Sequence, residues 1–211
     1  YNMEKAAAAV NGLVLQPGDL FDCNAVLGDR VEENGWRLAP GIRNGRYEEE
    51  YGGGVCQISS TLFNAVLMAD LDILERSPHS WPMGYVDIGR DATISTGGKN
   101  FRFRNSSGAP LTLYMHVDRE AQTVTASLYG KPLSDGRYID VVSEKTGTLE
   151  TAGEIIMLDE SLPANTRRVE REARDGKTSV TYKEYRAADG TLLDRRVAYA
   201  DTYHAIDGLT Y

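Results

Sequence analysis

The stretch that decides the fold reads GGGVCQISSTLFNA and covers residues 52–65. Three glycines open it, and glycine permits a tight turn and the close approach of another chain segment. After the glycines, apolar residues recur at steps of three and four, which predicts an amphipathic helix with one face on a core. These apolar residues are Val55, Ile58, Leu62, Val66 and Ala69.

Cys56 would lie in the first turn of this helix, off the apolar stripe and on a face shared with Ser60. The helix dipole favours a thiolate there, so we expect a lowered pKa and a better nucleophile. The backbone N–H groups of Cys56 and Gln57 would hold an oxyanion. Two alternatives stay open: Cys56 as a small buried apolar residue, and a disulfide between Cys56 and Cys23.

The flanking sequence predicts further elements around this helix. A second helix is expected over residues 4–10, followed by a short strand over residues 13–15. Downstream, strands are expected over residues 93–95, 101–103, 111–114 and 123–128. Together they predict an α+β fold in which helices pack on an antiparallel sheet.

A change of pattern near residue 130 predicts a second domain. Breaker residues fill positions 129–136, and short alternating stretches follow, around residues 138–144 and 180–184. We therefore expect a first domain over residues 1–132 and a small all-β domain over residues 137–211.

Composition excludes several classes of function. The 211 residues carry 23 Lys and Arg against 31 Asp and Glu, a net charge of −8, and the basic residues are scattered. No nucleic-acid groove is therefore expected. Two cysteines are too few for a disulfide framework or a four-thiolate zinc site. No apolar run approaches the roughly 20 residues of a membrane span, so we expect a soluble chain whose leader or anchor was removed or never existed.

A cysteine nucleophile needs a base, and His79 is the expected one. It lies in an irregular segment between two prolines, which would hold its side chain on a fixed loop. His116 falls on a predicted strand and His204 in the tail. Asp91 or Glu75 would orient the imidazole, although Asp91 also suits a turn and Glu75 an ion pair with its neighbour.

Several runs of this sequence resemble the VanW family over about residues 2–130. They are residues 11–12, 17–21, 28–30, 52–65, 74–80, 85–93 and 103–105. The tail resembles the G-five domain, a small β module, in its pattern of strands and turns. Cys23 replaces a residue that is usually small in this family, and Lys99-Asn100 stands where an acidic residue is common.

The resemblance implies a bacterial, extracytoplasmic cell-wall protein that is membrane-anchored or secreted at full length. Some VanW members act as L,D-transpeptidases, which form 3-3 peptidoglycan cross-links through a cysteine thioester. Carried over, Cys56 is the nucleophile, His79 the acid and base, and Asp91 the orienting group. The expected substrate and oxyanion residues come from two sources. Ser60 shares the helix face of Cys56, and the resemblance supplies Gly53, Gly54, Gln57, Arg76, Ser80 and Arg90.

The resemblance also sets the expected partners and the alternatives. Peptidoglycan stem peptides or glycan would bind, no metal or organic cofactor is implied, and a membrane would be reached only through an anchor upstream of this chain. Arg76 or Arg90 would bind a stem carboxylate, with a structural ion pair as the alternative. Water in place of the acceptor amine would make the site a carboxypeptidase. The alternative from another class is a non-catalytic peptidoglycan-binding or adhesion module.

Overall fold

The computed structural model describes residues 1–43, 46–163 and 165–211. The chain is mostly β, with 40% strand and 17% helix. The helices among these residues are α1 (Asn2–Val10), α2 (Cys23–Leu27) and α3 (Val55–Met68). The strands are β1 (Val14–Leu15), β2 (Leu20–Asp22), β3 (Leu38–Arg43), β4 (Arg46–Tyr51), β5 (Asp72–Glu75), β6 (Arg102–Arg104), β7 (Leu111–Asp118), β8 (Thr123–Tyr129), β9 (Tyr138–Leu149), β10 (Glu154–Ile156), β11 (Val169–Arg171), β12 (Gly176–Arg186), β13 (Leu192–Tyr203) and β14 (Gly208–Thr210).

These strands form several small sheets. The orders are β1-β7-β8, β2-β6-β5 and the hairpin β3-β4 in the first part, and β13-β12-β9 and β10-β14-β11 in the tail. The pairings are antiparallel except that of β10 with β14. The prediction of helices on one antiparallel sheet is confirmed only in part, because the β content is divided among small sheets.

The core lies around α3, whose predicted apolar stripe is buried. Ile58, Leu62 and Val66 are fully enclosed, and each such side chain contributes about 1.5–3 kcal/mol of hydrophobic free energy. α1 packs against α3 and β7, and α3 packs against β8 and β9. The same core continues into the tail through Ile139 and Val141 of β9. The boundary expected between residues 132 and 137 stays a prediction.

The predicted strand at residues 93–95 is wrong. This segment belongs to an irregular stretch between β5 and β6 that passes over the beginning of α3. The N–H of Thr93 donates to the Ser77 carbonyl at 2.9 Å, and that of Ser95 donates to the Lys99 carbonyl at 2.9 Å. Contacts with this loop and with α3 override the local strand preference of Thr-Ile-Ser. The same stretch carries His79 and Asp91 to α3.

Candidate functional site

The three glycines before α3 are required for different reasons, two by close neighbours and one by its backbone conformation. A side chain on Gly52, which has φ +84°, would place its Cβ 2.6 Å from Cγ of Arg30. On Gly53 the Cβ would lie 2.4 Å from the Ala39 carbonyl oxygen, so this glycine serves packing under β3. Gly54 precedes the helix in the left-handed conformation, with φ +95°. The triplet therefore lets α3 begin directly against β3 and Arg30.

Cys56 lies in the first turn of α3, as predicted, with its side chain partly buried. Its Sγ is 3.4 Å from the Ile94 carbonyl oxygen and 3.6 Å from Oγ1 of Thr93. Burial of the sulfur opposes ionisation, but the hydrogen bond and the charge of His79 outweigh it and lower the pKa of Cys56. This environment makes Cys56 easier to ionise than an ordinary thiol.

The disulfide alternative is wrong, because both thiols are free. Cys23 opens α2 and is completely buried. Burial raises the pKa of its thiol to about 12, so Cys23 stays a neutral apolar residue at physiological pH. Of the two thiols, only Cys56 has an environment that suits a nucleophile.

His79 is oriented by Asp91 through two contacts with one carboxylate oxygen. Oδ2 of Asp91 lies 2.6 Å from Nδ1 of the ring and accepts the His79 backbone N–H at 2.7 Å. Glu75, the other expected orienting group, instead faces Arg102 at 3.7 Å and is half exposed. The structure therefore places Asp91 beside the imidazole and Glu75 in an ion pair.

The pKa shifts of Cys56, His79 and Asp91 favour a thiolate beside an imidazolium. Burial alone would lower the pKa of His79, but its hydrogen bonds and charge interactions with Asp91 and Cys56 raise it to about 9. Burial would raise the pKa of Asp91, but the hydrogen bonds from His79 and Tyr203 hold it below its ordinary value. These shifts each favour the charged form, namely a negative sulfur, a positive ring and a negative carboxylate.

Arg76 lies in a buried ion pair, which does not fit the substrate role that the sequence led us to expect. Its guanidinium is buried and fully engaged by Asp201, Asp91 and backbone carbonyls. The closest contacts join Nη1 to both carboxylate oxygens of Asp201, at 2.6 and 2.7 Å. The structural alternative, a buried ion pair, is the one observed.

Ser60 and Arg90 are also engaged in contacts within the protein. Ser60 is completely buried, and its Oγ accepts the backbone N–H of Ala92 at 2.9 Å. Arg90 donates to Oδ1 of Asn64 at 2.6 Å and lines a separate hollow beside Asp87. Both side chains hold the loop over α3, so neither fits the predicted substrate role.

A cavity of about 800 Å³ opens at the Cys56 sulfur. The remaining predicted residues Gly54, Gln57 and Ser80 line it together with His79. Arg30 and Lys99 bring positive charge to its wall, and Glu49 and Glu50 bring negative charge from β4. Cys56 and His79 are therefore accessible to a ligand of mixed charge. No metal-binding group of three or more His, Cys, Asp or Glu side chains occurs in the described ranges.

The chain matches the family described as VanW like protein over residues 1–129. It belongs to the VanW family. One relative is the uncharacterized protein YoaR of Bacillus subtilis, 39% identical over 65% of this chain and 45% of YoaR. Another is the vancomycin B-type resistance protein VanW of Enterococcus faecalis, 30% identical over 57% of this chain and 46% of that protein. The chain thus spans less than half the length of either relative.

Two solved structures are similar to parts of the chain at low TM-scores. The IgA1 protease G5 domain is 15% identical, with a TM-score of 0.24, over 36% of this chain and 90% of that domain. HP0197-G5 is 19% identical, with a TM-score of 0.19, over 34% of this chain and 93% of that chain.

Two residues beyond the VanW match complete the surroundings of the site, and no sequence pattern pointed to them. Tyr203 and Asp201 belong to β13, more than 100 residues from the side chains they hold. Arg30 lies inside the match, in the Gly28-Asp29-Arg30 run that supported the resemblance. The presence of a charged side chain in that run is the feature of the sequence that could have marked Arg30 as a site residue.

His116 and His204 are exposed, His116 on β7 and His204 just after β13. In the part of the chain described here, none of the helices has the length and apolarity that a membrane crossing requires.

Proposed function

We propose that this VanW domain is a cysteine L,D-transpeptidase that forms 3-3 cross-links between peptidoglycan stem peptides. The observation that carries the proposal is the Cys56–His79–Asp91 arrangement at one accessible cavity. Membership of the VanW family, with a vancomycin-resistance relative, supports a cell-wall substrate and an extracytoplasmic location.

The first half-reaction cleaves the last peptide bond of a tetrapeptide stem. The Cys56 thiolate attacks the carbonyl carbon at the L-centre of diaminopimelate, and a C–S bond forms. As the C–N bond breaks, the imidazolium of His79 gives its proton to the departing amine of D-alanine. The products are a thioester on Cys56 and free D-alanine, and His79 is left neutral.

Electrostatic stabilisation of the oxyanion would come from the beginning of α3. The N–H of Gln57 already donates to the Gly54 carbonyl at 3.1 Å, so Gln57 is the weaker of the two expected donors. The N–H of Cys56 is our candidate donor, at the end of the helix where the dipole is positive.

The second half-reaction transfers the acyl group to another stem. The amine at the D-centre of an acceptor diaminopimelate attacks the thioester, and neutral His79 takes the proton that this amine loses. The C–S bond breaks, an amide forms, and the thiolate and imidazolium return. Asp91 holds the ring for both transfers.

Incubation with a purified disaccharide-tetrapeptide tests the proposal. We expect release of D-alanine, a 3-3 dimer in the mass spectrum, and an acyl adduct on Cys56 in the intact-protein mass. Cys56→Ala should abolish all three, whereas Cys23→Ala should retain them because that thiol is buried and neutral. Absence of D-alanine release, or equal release by Cys56→Ala, would contradict the proposed transpeptidase activity. Release without a dimer would reassign the site to hydrolysis.

The cavity also suits a non-catalytic peptidoglycan-binding module, which makes a different prediction. In that case the wild type and Cys56→Ala would bind the muropeptide with equal affinity, and neither would release D-alanine. Calorimetric titration of both proteins with the same muropeptide separates binding from turnover.

A further inference from the structure

Arg30 is a buried cation in the wall of the Cys56 cavity that lacks a complete set of partners. Its side chain is part of the cavity lining, and the residue is 7% exposed. Nη1 donates to the Gly28 carbonyl at 3.1 Å, whereas Nη2 is buried and has no hydrogen-bond partner among the residues that the structure describes. A buried charged donor left unpaired destabilises a fold, so a ligand that pairs with it would gain affinity.

The stem of Arg30 is fixed where it lies. Cγ and Cβ pack against the backbone of Gly52, so closely that a Cβ there would lie 2.6 and 2.9 Å from them. The backbone N–H of Arg30 donates to Oγ1 of Thr96, another residue of the cavity wall. The guanidinium is therefore held in place before any ligand arrives, which reduces the entropy lost on binding.

Several neighbouring groups act on the charge of this guanidinium. Burial lowers the pKa of Arg30, and the thiols of Cys23 and Cys56 with the carboxylates of Asp29 and Glu50 oppose that effect. None of these groups supplies a hydrogen bond to Nη2. Arg30 thus lies within electrostatic reach of the nucleophile and keeps a free donor.

From this geometry we propose that Arg30 binds a carboxylate of the stem peptide beside the bond that Cys56 attacks. The inference rests on the proposed function and replaces Arg76 and Arg90 as carboxylate receptors. A planar guanidinium matches a carboxylate through paired N–H donors. A tetrapeptide stem offers this group twice near the scissile bond: at the C-terminus of D-alanine and at the D-centre of diaminopimelate.

The first experiment measures anion recruitment at Cys56 without requiring turnover. Iodoacetate and iodoacetamide both alkylate the thiolate with loss of iodide, but only iodoacetate carries a charge. Arg30→Gln should lower the ratio of the iodoacetate rate to the iodoacetamide rate by about tenfold, because one buried charge is lost. Arg90→Gln, outside the cavity, should leave the ratio unchanged. An unchanged ratio in Arg30→Gln, or an equal fall of both rates, would overturn the inference.

The second experiment uses the wild-type chain and three substrates, so that it does not depend on the folding of a variant. They are the tetrapeptide stem, the stem with a C-terminal carboxamide, and the stem amidated at the D-centre of diaminopimelate. We expect kcat/KM to fall about a hundredfold for the amide that removes the carboxylate bound by Arg30. The amide that is affected identifies which carboxylate is bound. Equal kcat/KM for all three would overturn the inference and leave the transpeptidase intact.

The two experiments separate the failure of this inference from that of the proposed function. An alkylation ratio that depends on the charge of Arg30, without any D-alanine release, would support the anion site and contradict the proposed transpeptidase activity. Arg30→Lys is the companion variant if Arg30→Gln unfolds, because it retains the charge. It should keep the alkylation ratio near that of the wild type, and a ratio as low as that expected for Arg30→Gln would contradict a charge effect.

Discussion

The hydroxyl of Tyr203 donates a hydrogen bond to Oδ1 of Asp91 at 2.5 Å, across 112 positions of the chain. The same hydroxyl accepts the backbone N–H of Gly89 at 2.9 Å, and Oγ1 of Thr181 donates to the Gly89 carbonyl at 3.0 Å. Strands β12 and β13 of the tail therefore fix the loop whose carboxylate orients His79. The proposed catalytic residues therefore lie in the VanW domain, and residues of the tail hold them in position.

Tyr203→Phe tests this positioning. The change leaves the Gly89 N–H unpaired and removes one donor from a buried carboxylate. We expect a loss of about 1–3 kcal/mol in the free energy of unfolding, measured with urea, and slower D-alanine release.

Tyr185→Phe is the matched control, because it also removes a tyrosine–aspartate hydrogen bond made by the tail. The hydroxyl of Tyr185 donates to exposed Asp70 at 2.9 Å, away from the cavity. This variant should lose less than about 0.5 kcal/mol and keep the rate of D-alanine release. Equal effects of the two variants on that rate would contradict the positioning role of Tyr203.

Asp201→Asn should destabilise the protein strongly. The side chains of Arg76 and Asp201 are 1% and 6% exposed, so the variant leaves a buried guanidinium without its main counter-charge. Breaking such a pair costs about 3–5 kcal/mol. Arg76 also contacts Phe63 and Tyr199, which would keep it inside the core.

Asp194→Asn provides the comparison on the same strand. It removes a carboxylate that pairs with Arg196 at the surface, where an ion pair contributes about 0–1 kcal/mol. Urea unfolding of both variants gives the difference. A loss for Asp201→Asn as small as that for Asp194→Asn would show that the buried pair contributes little.

The pH dependence of Cys56 reactivity follows from its environment. The lowered pKa of Cys56 predicts that alkylation by neutral iodoacetamide has its midpoint below pH 9, the ordinary pKa of this thiol. Transpeptidation also needs protonated His79, so its rate should decline as the pH rises through about 9, whereas alkylation should not.

His79→Ala isolates the cause of this pH dependence. Without the imidazolium, burial of the sulfur is opposed only by its smaller contacts with Ile94 and Thr93, and the alkylation profile should move to higher pH. His116→Ala removes an exposed histidine on β7 and should leave the profile unchanged. A profile that His79→Ala does not move would rule out the thiolate–imidazolium pair.

The parts of the site that the sequence predicts are those set by local pattern. The 3-4 spacing of apolar residues locates α3, and the glycines and cysteine at its beginning locate the nucleophile. Ser60 was misplaced because helix periodicity cannot show that the loop backbone at Ala92 covers a polar helix face. Arg76 and Tyr203 depend on contacts across more than 100 positions, for which a single sequence carries no periodic signal.

Gly52 belongs both to the turn that begins α3 and to the packing of Arg30 in the inferred anion site. Gly52→Ala would combine a strained φ of +84° with a Cβ 2.6 Å from Cγ of Arg30. Gly18→Ala supplies the control, because Gly18 has φ +90° and none of the described residues has an atom within 4 Å of the added Cβ. The strain alone costs about 1–2 kcal/mol, so Gly18→Ala should lose that much in urea unfolding and keep the iodoacetate-to-iodoacetamide ratio.

Gly52→Ala should lose more stability than Gly18→Ala, and it should also lower the alkylation ratio, because the added methyl group displaces the Arg30 stem. Urea unfolding and the two alkylation rates, measured on the same preparations, separate strain from displacement. If both variants lose equal stability and keep the ratio, the close packing of Gly52 on Arg30 has no influence on the cation beside Cys56.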